Sequence, residues 1–201
     1  MKKVLTYAFL AILCLNTGCV NRLFKYTVEI NQTTQHTVDD PDGVFVTSAF
    51  INRTTVARAL NLPSGSRVTE LNIESLALSV SIPSTNQAVS VNLTGLMQRS
   101  AGGPTSELFR NQTIPLAGVN VPFIGLNALI ADGIDKLKTE LENFVKGIGT
   151  GTQVEIALSG TSTPAQRRVS VTIHVQIKAT VKYERCEEVL EVLGDVGEPC
   201  P

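Results

Sequence analysis

From Arg168 to Tyr183 apolar and polar residues alternate without a slip. Val169, Val171, Ile173, Val175, Ile177, Ala179, Val181 and Tyr183 fall on one side. Arg168, Ser170, Thr172, His174, Gln176, Lys178, Thr180 and Lys182 fall on the other. A two-residue period dictates a β-strand with one apolar and one wet face. At about 3.3 Å per residue this strand reaches roughly 50 Å, well past the ~17–20 Å of an ordinary one. It is therefore expected to bend or coil. At about 1.5–3 kcal/mol per buried Val or Ile, its inner face contributes on the order of 10 kcal/mol before chain entropy is subtracted. The pattern specifies a half-solvated sheet and says nothing about chemistry.

A chain of 201 residues suits one domain or two small ones. With 43% apolar and 17% charged residues, it belongs with globular chains. Aromatics make up 5% and Trp is missing, so a base- or sugar-stacking platform has little to build on. A net charge of −1 offers no basic field for a polyanion, and no nucleic-acid partner is expected.

Lys2 and Lys3 precede an apolar run, Val4 to Leu15, that is short of the ~20 residues needed to span a bilayer. This reads as a signal peptide over residues 1–18. The run ends in Leu15-Asn16-Thr17-Gly18-Cys19, which resembles the lipobox of bacterial lipoproteins. Asn16 stands where that family prefers Leu, Val or Ile. The resemblance covers these residues alone and carries no fold with it. It implies cleavage before Cys19, acylation of that cysteine by palmitate-like chains, and a membrane anchor worth about 0.8 kcal/mol per buried CH₂. Val20 is not the Asp that favours inner-membrane retention in the family, which implies an extracytoplasmic, outer-membrane address. The ordinary alternative is a secretory signal with Cys19 incidental.

Behind the anchor, Asn21 and Arg22 read as a short tether. Phe24, Tyr26, Val28 and Ile30 alternate as a first strand, and the polar run Asn31 to Asp42 reads as a loop. Asp39, Asp40 and Asp42 before Gly43 are weak candidates for a cation site. The spaced ligands and distal Glu of a calcium loop are missing, and a Pro-Asp-Gly turn accounts for them. No metal and no cofactor is expected. Val44 to Ile51 reads as a strand, and Thr54 or Thr55 could cap a short helix carrying Val56, Ala57 and Leu60. Leu71 and Ile73 share one parity while Leu76, Leu78, Val80 and Ile82 take the other, so a β-bulge is expected at Glu74-Ser75. That strand and Val89, Val91 and Leu93 are expected to form a hairpin through Asn86-Gln87. Met97 to Gln112 reads as an exposed loop.

Leu126, Leu129, Ile130, Ile134, Leu137, Leu141, Phe144 and Val145 recur at helical spacing. They predict one amphipathic helix of about twenty residues, or ~30 Å, over 126–145, with Lys146 in its last turn and Gly147 as its C-cap. Gly133 reads as an interior weakness of about 1 kcal/mol. Gly147-Ile148-Gly149-Thr150-Gly151 leaves a helix instead of entering one, so it is a turn and not a phosphate loop. Val154, Ile156 and Leu158 are expected to pair with the long strand as a hairpin.

Cys186 and Cys200 remain after Cys14 and Cys19 are set aside. An oxidising compartment favours a disulfide between them, closing a loop of about fifteen residues worth ~3 kcal/mol in the chain-entropy model. Two free thiols or bridges between chains are the alternatives. Glu184, Glu187, Glu188, Glu191, Asp195 and Glu198 make this end acidic, a solvated face or a weak site for a basic partner.

The expected fold is mainly β: an antiparallel sandwich or strongly curved sheet with the long helix packed on it. Residues 19–201 would form a single β-rich domain with a Cys-closed C-terminal loop. No nucleophile–base or metalloprotease motif occurs, and His174 lies on a wet face, so no catalytic residue is named and the chain is not expected to be an enzyme. The expected function is a lipid-anchored, non-catalytic structural or interaction module of the bacterial cell envelope, with the membrane and an envelope protein as candidate partners. The alternative is a carrier of an apolar, lipid-like ligand held between the curved sheet and the 126–145 helix.

Overall fold

A computed structural model describes residues 19–99, 103–116, 118, 120–190 and 198–200. The expected signal peptide lies outside them, as do Ser100, Ala101, Gly102, Val119, Glu191 and Asp195. The alternating stretch is the middle strand of a sheet. This strand, β8 (Val169–Leu190), lies between β1 (Cys19–Asp40) and β3 (Arg67–Ser81). The edges of this sheet are β6 (Val121–Gly125) and the two-residue β9 (Glu198–Pro199), giving the order β6-β3-β8-β1-β9. A second sheet holds β2 (Val44–Asn52), β4 (Ser90–Arg99), β5 (Ser106–Pro115) and β7 (Gln153–Thr163) in the order β2-β7-β4-β5. All pairs are antiparallel.

The odd residues of β8 from Val169 to Val181 are no more than 2% exposed. They share one core with Val91, Leu93, Ile156 and Leu158 of the second sheet, all fully buried. Beyond Tyr183 the alternation ends, yet β8 continues for seven residues to Leu190 because β1 still supplies a ladder down to Cys19↔Leu190. The register of β3 on β8 shifts between Ile73 and Ser75, which is the bulge that the phase change at Glu74-Ser75 requires. A second shift, between Val68 and Glu70, brings Val68 and Leu71 to the same inner face although their parities differ.

The polar run after Ile30 is not a loop. β1 continues through it to Asp40, paired residue for residue with β8 down to Val169. Ile30, Gln32, Thr34, His36 and Val38 form its inner row and are buried. The strand is held by backbone pairing, and its inner row lies where β2 and the first helix pack against β1. The Asn21-Arg22 tether is likewise part of β1.

Both expected hairpins are instead arches between layers. β3 belongs to the five-stranded sheet and β4 to the other, so the turn at Asn86-Gln87 crosses the sandwich. Gln87 N–H donates to the Arg168 carbonyl at 3.0 Å, and Ser170 N–H to Asn86 Oδ1 at 3.3 Å. β7 and β8 are divided in the same way, and β7 pairs with β2 and β4. Phe45 of β2 lies opposite Gly160 of β7, where a Cβ would sit 2.3 Å from its ring, so glycine is what admits the ring to the core. The expected loop 97–112 contains a genuine hairpin partner: β5 pairs with β4 from Ser90↔Pro115 to Met97↔Ser106. Leu108 and Phe109, neighbours in sequence, are both buried. Register shifts at Gly95 and a positive φ of 54° at Asn111 break the two-residue period that would have revealed the strand.

The short helix, α1 (Arg53–Leu60), starts two or three residues earlier than Thr54 or Thr55 capping would allow: its N-cap is Asn52, which makes no side-chain cap bond. It buries Val56 and Leu60 and ends at Asn61, whose φ of 43° is left-handed. The expected long helix is shorter: α2 (Ala131–Lys146) has 16 residues, capped by Gly147 at φ 68°. Leu126 and Leu129 lie ahead of it in extended chain, tied by Leu126 N–H to the Leu76 carbonyl, a Phe109–Leu129 bridge, and Ile130 N–H to the Leu108 carbonyl. α2 packs on β3, β5 and α1. The inner row of β8 shares its core with the second sheet and with Leu137, Leu141 and Phe144 of α2.

Candidate functional site

The expected lipid acceptor, Cys19, lies in strand β1, opposite Leu190 of β8. At about 3.3 Å per residue, the 22-residue ladder that begins at Cys19 runs roughly 70 Å, far longer than any strand of the second sheet. Its outer part is a stem that projects past the core. Inner-row burial falls from Ile30, 3% exposed, to the half-buried Val28, Tyr26 and Phe24. Tyr26 stacks on Tyr183, their centroids 5.1 Å apart, and Phe24 lies 6.4 Å from Tyr26. The Tyr26 hydroxyl donates to Glu187 at 2.7 Å, a bond that the ionised phenol could not make, and its pKa is raised.

A disulfide joins Cys186 to Cys200, with Cα atoms 6.0 Å apart, and hooks the C-terminal end onto the stem. β9 pairs with Arg22 and Leu23, and Lys25 reaches Glu198 at 3.1 Å. The acidic end is thus partly spent on the stem: Glu187 takes Tyr26 and Glu198 takes Lys25. Because the hook holds only the tip, Cys186→Ser with Cys200→Ser should lower global stability by about 1 kcal/mol or less, well under the ~3 kcal/mol of the chain-entropy model. Amide exchange should rise at residues 20–24 and 186–190 alone. Faster exchange throughout β8 would contradict a local role.

The aspartates at the β1–β2 turn are committed to the turn. Asp39 accepts both donors of Arg168 at 2.8 and 2.7 Å, and this pairing holds its carboxyl below the usual range. Asp40 Oδ1 accepts the N–H groups of Asp42 and Val44 at 3.0 and 3.1 Å, an Asx turn. No group of three His, Cys, Asp or Glu residues among the described ones could hold a metal ion.

The two histidines lie on opposite faces of one sheet. His174 is on the outer face, opposite Gln35. His36 is 1% exposed; its Nε2 is 3.0 Å from Thr34 Oγ1 and its Nδ1 has no partner. Burial, and secondarily the charge of His174, lowers its pKa to about 4. It is a neutral core side chain at pH 7.

One cleft that sequence spacing could not reveal gathers Arg53, Arg99, Glu140, Phe144 and the 148–151 loop around about 200 Å³. Glu140, 5% exposed, is paired with Arg99. Arg53 lies over the Phe144 ring at 5.6 Å and donates to the carbonyls of Ile148 and Gly149 at 2.6 and 3.1 Å. These contacts latch the glycine-rich turn to α1 and neutralise the buried carboxylate. The charges come from residues 53, 99 and 140, so no local motif announces them. The lining brings no acid–base pair to a nucleophile.

No family model matches the chain, and no curated protein matches it. Among solved structures, it is similar to turnip yellow mosaic virus at 100 K, with 12% identity, a TM-score of 0.36, and coverage of 83% of this chain and 96% of that one. It is also similar to infectious bursal disease virus Gx strain, with 14% identity, a TM-score of 0.31, and coverage of 84% of this chain and 40% of that one. The decameric BFDV capsid protein matches at 12% identity and a TM-score of 0.31, over 80% of this chain and 98% of that one. Likeness this distant bears on no function.

Proposed function

We propose that the chain is a lipid-anchored extracytoplasmic lipoprotein, acting as a non-catalytic structural or interaction module of a bacterial cell envelope, with the outer membrane as its address and residues 19–201 as one β-rich domain. The observation that carries this reading is the position of Cys19. It lies in the strand that runs unbroken through the stem into the sandwich, opposite Leu190 of β8. An acyl group there would be joined to the body by paired strand instead of a tether, so the body would stand at a set distance from the bilayer. From Cys19 to Lys25, opposite the last β8 residue that β3 still flanks, is six steps of strand, roughly 20 Å. No helix among the described residues is long and apolar enough to cross a membrane.

The carrier alternative needs an open apolar face. The inner row of β8 is packed into a core shared with the second sheet and with α2. The anchored module is therefore the better supported of the two. Labelling bacteria with radioactive palmitate should mark the wild-type chain and not Cys19→Ser, which should move from the membrane to the soluble fraction. Wild-type chain without label would end the proposal.

A further inference from the structure

Sheet edges are where chains pair, and among the described residues three of the four are guarded. β6 is short and carries Pro122. β5 carries Glu107, Arg110 and the left-handed Asn111. The outer edge of β1 carries Lys25, Glu29, Asp39 and Asp40, and its tip is covered by β9. Charge, proline and irregular backbone are the usual means by which an edge is kept from pairing. β2 has none of them. Its nine residues, Val44–Asn52, include no charge and no proline, and β7 covers one side only.

The exposed row of β2 is apolar as well. Val44 is 65% exposed, Val46 79% and Phe50 47%. Beside Val44 and Val46 lies a shallow concavity of about 250 Å³ reaching Asn92, Thr94 and Thr161. The backbone shows which groups are free. Gly43 accepts from Ser162 and Arg53 donates to Thr152, so the odd positions bond toward β7 and the even positions point their N–H and C=O outward.

We infer that β2 pairs antiparallel with β2 of a second copy about a twofold axis at Ser48. Ser48 is the midpoint of the strand, so this register uses its whole length. It sets Val46 opposite Phe50 twice, an aromatic–β-branched pair of the kind that stabilises a sheet, and it matches outward even positions with outward even positions. A twofold asks one patch to complement itself, and an uncharged strand with this order does so without placing like charges together. The two four-stranded sheets would then form one continuous sheet.

The test is cross-linking of the purified full chain under a mild oxidant, in a Cys14→Ser, Cys19→Ser background so that the introduced cysteine is the one thiol outside the Cys186–Cys200 disulfide; it does not depend on the membrane address. Ser48→Cys places the two sulfur-bearing residues opposite each other on the axis, with Cα atoms about 5.5 Å apart, within disulfide reach. Expected is a doubling of apparent mass on a non-reducing gel, reversed by reductant and lost in Ser48→Cys with Val46→Lys. Thr161→Cys, exposed on the neighbouring strand, should stay monomeric. A Ser48→Cys chain that remains a monomer overturns the inference, and so does a Thr161→Cys chain that dimerises equally.

Discussion

Gly133→Ala is expected to destabilise the protein by about 3 kcal/mol, the upper end of ordinary overpacking. Helix propensity alone gives the opposite sign, a gain of about 1 kcal/mol for replacing an interior glycine. The deciding fact is contact. A Cβ at this position would lie 1.8 Å from the Glu107 carbonyl oxygen and 2.6 Å from its carbon. Both are backbone atoms of β5 and cannot rotate aside. Relief requires α2 to move off the sheet, against the Phe109–Leu129 bridge and the 2.9 Å bond from Ile130 N–H to the Leu108 carbonyl. Leu137, Leu141 and Phe144, all buried on the same helix, would lift with it. A urea titration reads the sign directly: the midpoint should fall in the variant, and an unchanged or higher midpoint would show that the helix does not sit this close.

Acid should be the second strong lever. His36 is neutral in the fold, with its pKa lowered from 6.5 to about 4 by burial and by the charge of His174. The unfolded chain takes up a proton there first. Stability from this group is therefore present above pH 6.5 and is lost as pH falls toward 4. At 1.36 kcal/mol per pKa unit the full loss is about 3 kcal/mol. Thr34 offers Nε2 a single hydroxyl, and Nδ1 has no partner that could stabilise an imidazolium. His36→Leu should remove this slope, so the difference between the two proteins narrows or reverses as pH falls. Denaturation midpoints from pH 7 to 4.5 test it. Parallel curves would place the acid sensitivity elsewhere.

How much of this was legible in the sequence follows from what each element relies on. β8, the β3 bulge and the C-terminal end of α2 at Gly147 depend on apolar periodicity or on glycine at a left-handed position, and both are written in one dimension. β1 from Asn31 to Asp40 depends on a partner. Its inner row holds Gln32, Thr34 and His36, so no apolar alternation marks it, and only the ladder to β8 makes it a strand. The two supposed hairpins show another limit. Asn86-Gln87 and Thr163-Pro164 are sound turn signals, but a turn within a sheet and an arch between sheets use the same residues. The choice is made by which neighbours β8 already has, namely β1 and β3. The start of α2 is hidden for a similar reason: Leu126 and Leu129 fit a helical stripe but bond to Leu76 and Phe109 as extended chain. At the sites, the Cys186–Cys200 bond was readable from cysteine arithmetic. The Arg53–Arg99–Glu140 cleft and the unguarded edge of β2 exist only once distant segments are assembled.

The account rests on β1 being one unbroken strand from Cys19 to Asp40. Spin labels at Asn21 and Thr37, exposed on the same face, measure it. Sixteen residues of strand at about 3.3 Å each, shortened a little by twist, give a single narrow distance distribution at roughly 45–55 Å. A broad distribution centred well below that range would mean that the polar segment after Ile30 is a loop, and the stem with its fixed standoff would be lost.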